Sequence, residues 1–108
     1  ELGEEEKAFD AYDRTLRNDP DNVLVLNNYA YFLALKNHDL DKALEMSTKA
    51  IALEPDNPTY LDTHAWVLYT TGDYKEAEKH MSKALKLLKE PDETYTKHYE
   101  AILSKLKK

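Results

Sequence analysis

The chain has 108 residues, with 15 Lys plus Arg against 21 Asp plus Glu, 2 Gly, 4 Pro and no Cys; that is room for one domain burying roughly two thirds of its unfolded surface without staples. Lacking Cys, it has no disulfides, thiolate zinc sites or thiol nucleophiles, and its redox compartment stays open. A formal net charge of −6 works against phosphate backbones and anionic lipid, and no apolar run approaches the ~18 residues of a membrane span, so neither nucleic acid nor direct membrane insertion is expected.

Ala, Leu, Lys and Glu fill the stretches between the few Gly and Pro, so the chain reads as helix and turn, with no strand. A first helix is predicted over 4–18, behind an acidic start (Glu1, Glu4, Glu5, Glu6) that is unlike a signal peptide. Asp19-Pro20-Asp21-Asn22 breaks it, and a second helix is predicted over 23–36. A turn near Asn37 and His38 leads to a third over 39–53. Glu54-Pro55-Asp56-Asn57 then repeats the earlier turn, and Asn57 before Pro58 reads as an N-cap with proline at the first helical position, opening a fourth helix over 58–71. Gly72 suits a left-handed helix end, and Asp73 with Glu76 reads as a capping box for a fifth helix over 74–89. The last is predicted over 93–106. Connections of a few residues make successive helices pack as antiparallel hairpins.

The turn sequences recur at an offset of 35, as do Leu26, Ala30 and Leu33 in Leu61, Ala65 and Leu68. Asp39, Ala43, Lys49, Ala50 and Leu53 recur at 34 in Asp73, Ala77, Lys83, Ala84 and Leu87. Helix pairs of this period, with small residues at fixed places and a proline after the second helix, resemble the tetratricopeptide repeat, TPR. The resemblance spans nearly the whole chain and implies an all-α fold, a right-handed α-α superhelix (solenoid) of TPR helix hairpins. The single domain 1–108 then divides into 1–22, the second helix of a truncated repeat; 23–57 and 58–91, two full repeats; and 92–108, a capping helix or the start of a further repeat. The family's small places fall on Ala30, Ala43, Ala65 and Ala77, and further along on Thr15, Ala50 and Ala84, where larger side chains would push paired helices apart. Glu100 departs from a small place, and Pro91 comes late. The wording around Leu26 to Tyr31 and Tyr60 to Trp66 is similar to TPR proteins of the bacterial cell envelope, which favours envelope or periplasm over cytoplasm by resemblance alone.

In a TPR stack the first helices of each pair line a concave groove. The resemblance carries that role onto Asn27, Asn28, Tyr31 and Leu35 of the second unit, Asp62, Thr63, Trp66 and Thr70 of the third, and Lys97 and His98 of the last helix. Amides, hydroxyls and aromatics suit a peptide guest, since amides pair with its backbone and rigid aromatics bury area at low entropic cost. Tyr31 and Trp66 alternatively pack between neighbouring first helices. TPR domains that clamp a C-terminal carboxylate pair an Asn with a Lys and an Arg. Asn28 matches the Asn, but Thr59 and Thr63 stand at the basic places, so no clamp is expected. The implied function is a non-catalytic module binding a peptide or protein segment, with a structural spacer or self-association element as the alternative.

No enzyme, cofactor or metal is expected. His38, His64, His80 and His98 fall in different units, Glu76 and His80 share the spacing of an ordinary solvated helix face, Asp62 and His64 point to different sides of one helix, and no glycine-rich loop cradles a phosphate. Residues 1–22 carry 3 basic and 8 acidic groups, and 92–108 carry 4 and 3. This gradient, with Phe9, Tyr12 and Leu16 short of cover, would favour weak end-to-end homo-oligomers; alternatively Lys105, Lys107 and Lys108 are simply a solvated tail.

Overall fold

A computed structural model describes residues 2–107, so Lys108 of the basic tail lies outside the described residues, as does Glu1 of the acidic start. Six helices follow one another: α1 (Leu2–Asn18), α2 (Val23–Leu35), α3 (Leu40–Leu53), α4 (Pro58–Thr71), α5 (Tyr74–Leu87) and α6 (Glu93–Leu106). The described residues contain no strand, and the fold is an all-α solenoid of helix hairpins measuring 39 × 27 × 22 Å. None of the helices is long and apolar enough to cross a membrane.

The helix starts follow their side-chain chemistry. Asn22 Oδ1 accepts the Val25 N–H at 3.1 Å, Asn57 Oδ1 the Thr59 N–H at 2.9 Å, and Asp92 Oδ1 the Thr94 N–H at 2.9 Å, each satisfying a donor that has no partner within its helix. The expected capping box at α5 is half made. Asp73 Oδ1 accepts the Glu76 N–H at 3.4 Å, but the Asp73 N–H is taken by the Leu68 carbonyl at 2.9 Å, which closes the end of α4. That closure turns on Gly72 at φ 93°. The α2–α3 turn closes likewise, with the His38 N–H on the Leu33 carbonyl at 3.0 Å. Without glycine it places Asn37 at φ 52° and Asp39 at φ 48°, left-handed backbone that costs a side-chain-bearing residue about 1 kcal/mol. Asp39 makes no side-chain cap, so α3 begins at Leu40 rather than at 39. At the other end of α5, Leu88 is extended (ψ 135°), which stops the helix at Leu87 instead of the expected 89.

The core consists of nested hairpins. Ala30, Ala43, Ala65, Ala77 and Ala84 are 0 % exposed, because methyl-sized side chains let helix backbones approach closely. One apolar cluster joins α2 and α3 to Tyr60 and Val67 of α4 and is flanked by Phe9, Tyr12 and Leu16 of α1. A second joins α4 and α5 to Ile102 of α6, and Leu44 and Ile51 of α3 pack against both. Glu100 faces solvent, while Ala101 beside it is half-buried.

Polar ties reinforce the nesting. Lys49 pairs with Asp21 at 2.8 Å and Lys83 with Asp56 at 3.4 Å, the same bridge in consecutive units. Lys42 on α3 donates to Asp13 Oδ1 on α1 at 3.1 Å and to the Tyr29 hydroxyl on α2 at 2.9 Å, and that hydroxyl donates to Asp13 Oδ1 at 3.0 Å. Burial works against the Asp13 charge, but the hydrogen bonds from Lys42 and Tyr29 outweigh it and hold the carboxyl below its usual range.

Candidate peptide-binding groove

Helices α2, α4 and α6 lie side by side, each α2–α4 and α4–α6 pair in contact. Helix α2 is apolar around its whole circumference apart from Asn27 and Asn28, a pattern that belongs to a helix covered on every side. Only one side is covered. Leu26, Tyr29, Ala30, Leu33 and Ala34 are buried in the core, whereas Leu24 and Leu35 are 58 % and 57 % exposed. Spacings of four, three and four residues put Leu24, Asn28, Tyr31 and Leu35 on one stripe opposite the core. Between that stripe and α1 lies a cleft of about 390 Å³, lined by Ala8 and Tyr12 of α1 and by Asn28, Tyr31, Phe32 and Leu35 of α2.

The α4–α6 junction is denser. His98 Nδ1 lies 2.8 Å from Asp62 Oδ1, and because a carboxylate only accepts, the ring nitrogen carries the proton. The His98 ring stacks on Trp66 at 4.2 Å between centroids, and Trp66 stacks on Tyr69 at 4.5 Å. The Tyr95 hydroxyl donates to Thr59 Oγ1 at 3.2 Å. Tyr31 of α2 feels this junction: burial raises its hydroxyl pKa, and the negative charge of Asp62 raises it further.

The ten sequence-predicted groove residues thus divide. Asp62, Trp66 and His98 are brought into direct contact. Tyr31 is half-buried within reach of the Asp62 charge, and Asn28 and Leu35 lie on the open stripe. Asn27, Asp62 and Thr63 are only 6 %, 7 % and 4 % exposed, because their direction on the helix carries them toward packed neighbours. Thr70 donates to its own backbone at the Val67 carbonyl, 2.7 Å. Lys97 points to solvent with only Glu93 near it, at 3.8 Å. Sequence reasoning missed Leu24, one turn before Asn28 on the same stripe, and Tyr95, whose partner Thr59 stands 36 residues earlier.

The remaining histidines lie elsewhere. His64, on the side of α4 away from Asp62, has Nδ1 2.8 Å from Ser47 Oγ of α3 and its ring edge-on to His80 of α5 at 4.7 Å. Burial, helped by the His80 charge, lowers its pKa to about 4. His80 Nδ1 donates to the Glu76 carbonyl at 2.9 Å. Among the described residues no three carboxylate or imidazole side chains gather as a metal-ligand set.

Comparison with known proteins gives a consistent picture. Residues 11–45 and 59–87 each match a family model described as tetratricopeptide repeat. The chain is 34 % identical over 83 residues to a TPR repeat-containing protein of Pseudomonas aeruginosa, covering 77 % of this chain and 14 % of that protein. It is 35 % identical over 83 residues to cellulose synthase operon protein C of Pseudomonas fluorescens, covering 77 % of this chain and 6 % of that one. It therefore spans only a small part of the length of these relatives. Among solved structures, the Sgt2 TPR domain from Aspergillus fumigatus superposes with a TM-score of 0.85 at 21 % identity, covering 98 % of this chain and 70 % of that one. The first TPR of Spaghetti (RPAP3), solved bound to an HSP90 peptide, gives 0.82 at 23 % identity with 99 % and 83 % coverage. YrrB, a TPR protein with an unusual peptide-binding site, gives 0.74 at 24 % with 90 % and 49 %.

Proposed function

The chain belongs to the tetratricopeptide repeat family of non-catalytic protein-interaction modules, and on that premise we propose that it binds a peptide segment of another protein along the α2 and α4 wall. The guest lies on Leu24, Asn28, Tyr31 and Leu35 and reaches Trp66 and the Asp62–His98 pair at the centre. The observation that carries this reading is the pair of leucines more than half exposed on a helix that is otherwise apolar all round. Two such side chains on one stripe are what a guest's apolar residues would cover, each worth about 1.5–3 kcal/mol when fully buried. Asn28 between them offers an amide to the guest's backbone.

Trp66 is the sole tryptophan, so its fluorescence reports binding without a label. A binding peptide should shift that emission, and Leu24→Ser with Leu35→Ser should weaken it at least tenfold while helicity stays unchanged. Binding indifferent to both substitutions, and to Tyr31→Ala, would refute the groove.

A second reading, self-association, has its own support at the α1 end. Ala8 and Tyr12 are half-buried, whereas their repeat partners Ala43 and Ala77 are 0 % exposed and Ser47 and Met81 are buried. A second copy covering that end would raise the sedimenting mass with concentration, and Tyr12→Asp would reverse the rise; a monomer at every concentration excludes it.

A further inference from the structure

At the centre of the groove sits a carboxylate with one free oxygen. Asp62 is 7 % exposed and takes one hydrogen bond, from His98 to Oδ1; among the described residues its Oδ2 has none. Oδ2 is not sealed off, because Asn27 Oδ1 is the one fully buried side-chain oxygen left without a partner among the described residues, so the free oxygen of Asp62 keeps contact with solvent and is open to a donor brought by a guest. In its neutral form His98 spends its only N–H on Asp62 and leaves Nε2 as a lone pair. Tyr31 lies within reach of the Asp62 charge, and Trp66 stacks on the His98 ring beside it. Among the described residues no lysine or arginine pairs with Asp62, and Lys97 on α6 is turned to Glu93.

Resting on the groove reading, we propose that this carboxylate receives an arginine side chain of the guest. A guanidinium brings five N–H donors in one plane and a charge that survives any physiological pH, so it satisfies several acceptors at once. Its flat face suits aromatic neighbours, and its charge-assisted bond to Asp62 Oδ2 is shorter and stronger than a neutral one. The selectivity is opposite in sign to a carboxylate clamp: acidic guest residues meet an uncompensated negative field, and lysine fills only part of the acceptor set.

The test begins with a displayed library of random twelve-residue peptides selected on the protein. Enriched peptides are resynthesised with arginine, lysine or citrulline at the recurrent position and titrated by Trp66 fluorescence. Citrulline keeps the shape of arginine without its charge, and we expect a loss of at least tenfold in affinity, with lysine intermediate. Asp62→Asn, nearly isosteric, should erase the arginine-over-citrulline preference; amide chemical shifts around Asp62 on adding the arginine peptide guard against a variant that has lost its fold. Peptides that depend on Leu24 and Leu35 yet bind equally with arginine and citrulline overturn this inference and leave the groove reading standing. Enriched peptides indifferent to Leu24 and Leu35, or no enrichment, overturn both.

Discussion

Acidification should unseat α4 through His64. The unfolded chain protonates this imidazole near 6.5 and the folded protein only near 4, so between those values the unfolded state binds more protons and stability falls as pH falls. Linkage over that gap gives a loss of about 2 kcal/mol by pH 5 and about 3 kcal/mol by pH 4 relative to pH 7, a large share of the ~5–15 kcal/mol that holds a typical domain. The physical event is a second proton on a ring that is 6 % exposed, wedged between Ser47 of α3 and His80 of α5. Urea melts at pH 7, 6, 5 and 4.5, followed by circular dichroism, measure it. His64→Gln keeps a polar group for Ser47 but cannot titrate, so its stability should be nearly flat over the window in which the wild type slopes. Carboxylates titrate alike in both proteins and cancel in the difference. If wild type and His64→Gln lose stability in parallel between pH 7 and 4.5, burial is not what governs this histidine and the reasoning fails.

Three other outcomes follow from the packing and turns. Ala43→Leu forces extra carbons into a contact with no free surface and should cost about 1–3 kcal/mol in urea unfolding, whereas the same change at half-buried Ala8 should cost less than half as much. Asn37→Gly relieves a left-handed residue at φ 52° and should stabilise by up to about 1 kcal/mol, seen as a raised urea midpoint with unchanged slope. Tyr29→Phe removes the hydroxyl shared by Asp13 and Lys42 and should cost about 1 kcal/mol, with amide exchange accelerating first in α1.

Much of this architecture was written in local chemistry. The offset of 34 or 35 residues, the caps at Asn57 and Asp73 and the glycine at 72 each speak through a few neighbouring residues, and the helix limits follow from them to within a residue or two. The alanine places were legible because a missing side chain at a helix contact leaves one solution. The groove was less so. That Asn27 and Thr63 turn inward while Asn28 stays open depends on small rotations of packed helices, which no single helix encodes. Asp62 and His98 meet across 36 residues, whereas the sequence comparison ran at 35. The loop between the end of α5 at Leu87 and the cap at Asp92 adds the difference, and Ala101 rather than Glu100 turns inward. The open stripe of α2 was hidden for another reason. An all-apolar helix reads as buried, and only coordinates reveal which side has been left bare.

The clasp of Asp13, Tyr29 and Lys42 has a mechanical corollary. Helix α1 is held mainly by α2, by Lys42 of α3, and by the Glu5–Lys36 pair and the Phe9–His38 stack at the α2–α3 turn, so tension applied at the amino end loads a few polar bonds and rings rather than the alanine seams. Under a pulling force the chain would part there first, shedding α1 as a unit while the α2 to α6 stack stays whole. A pull from the carboxyl end must instead extract Ile102 from full burial, so the two directions of loading should give different rupture forces.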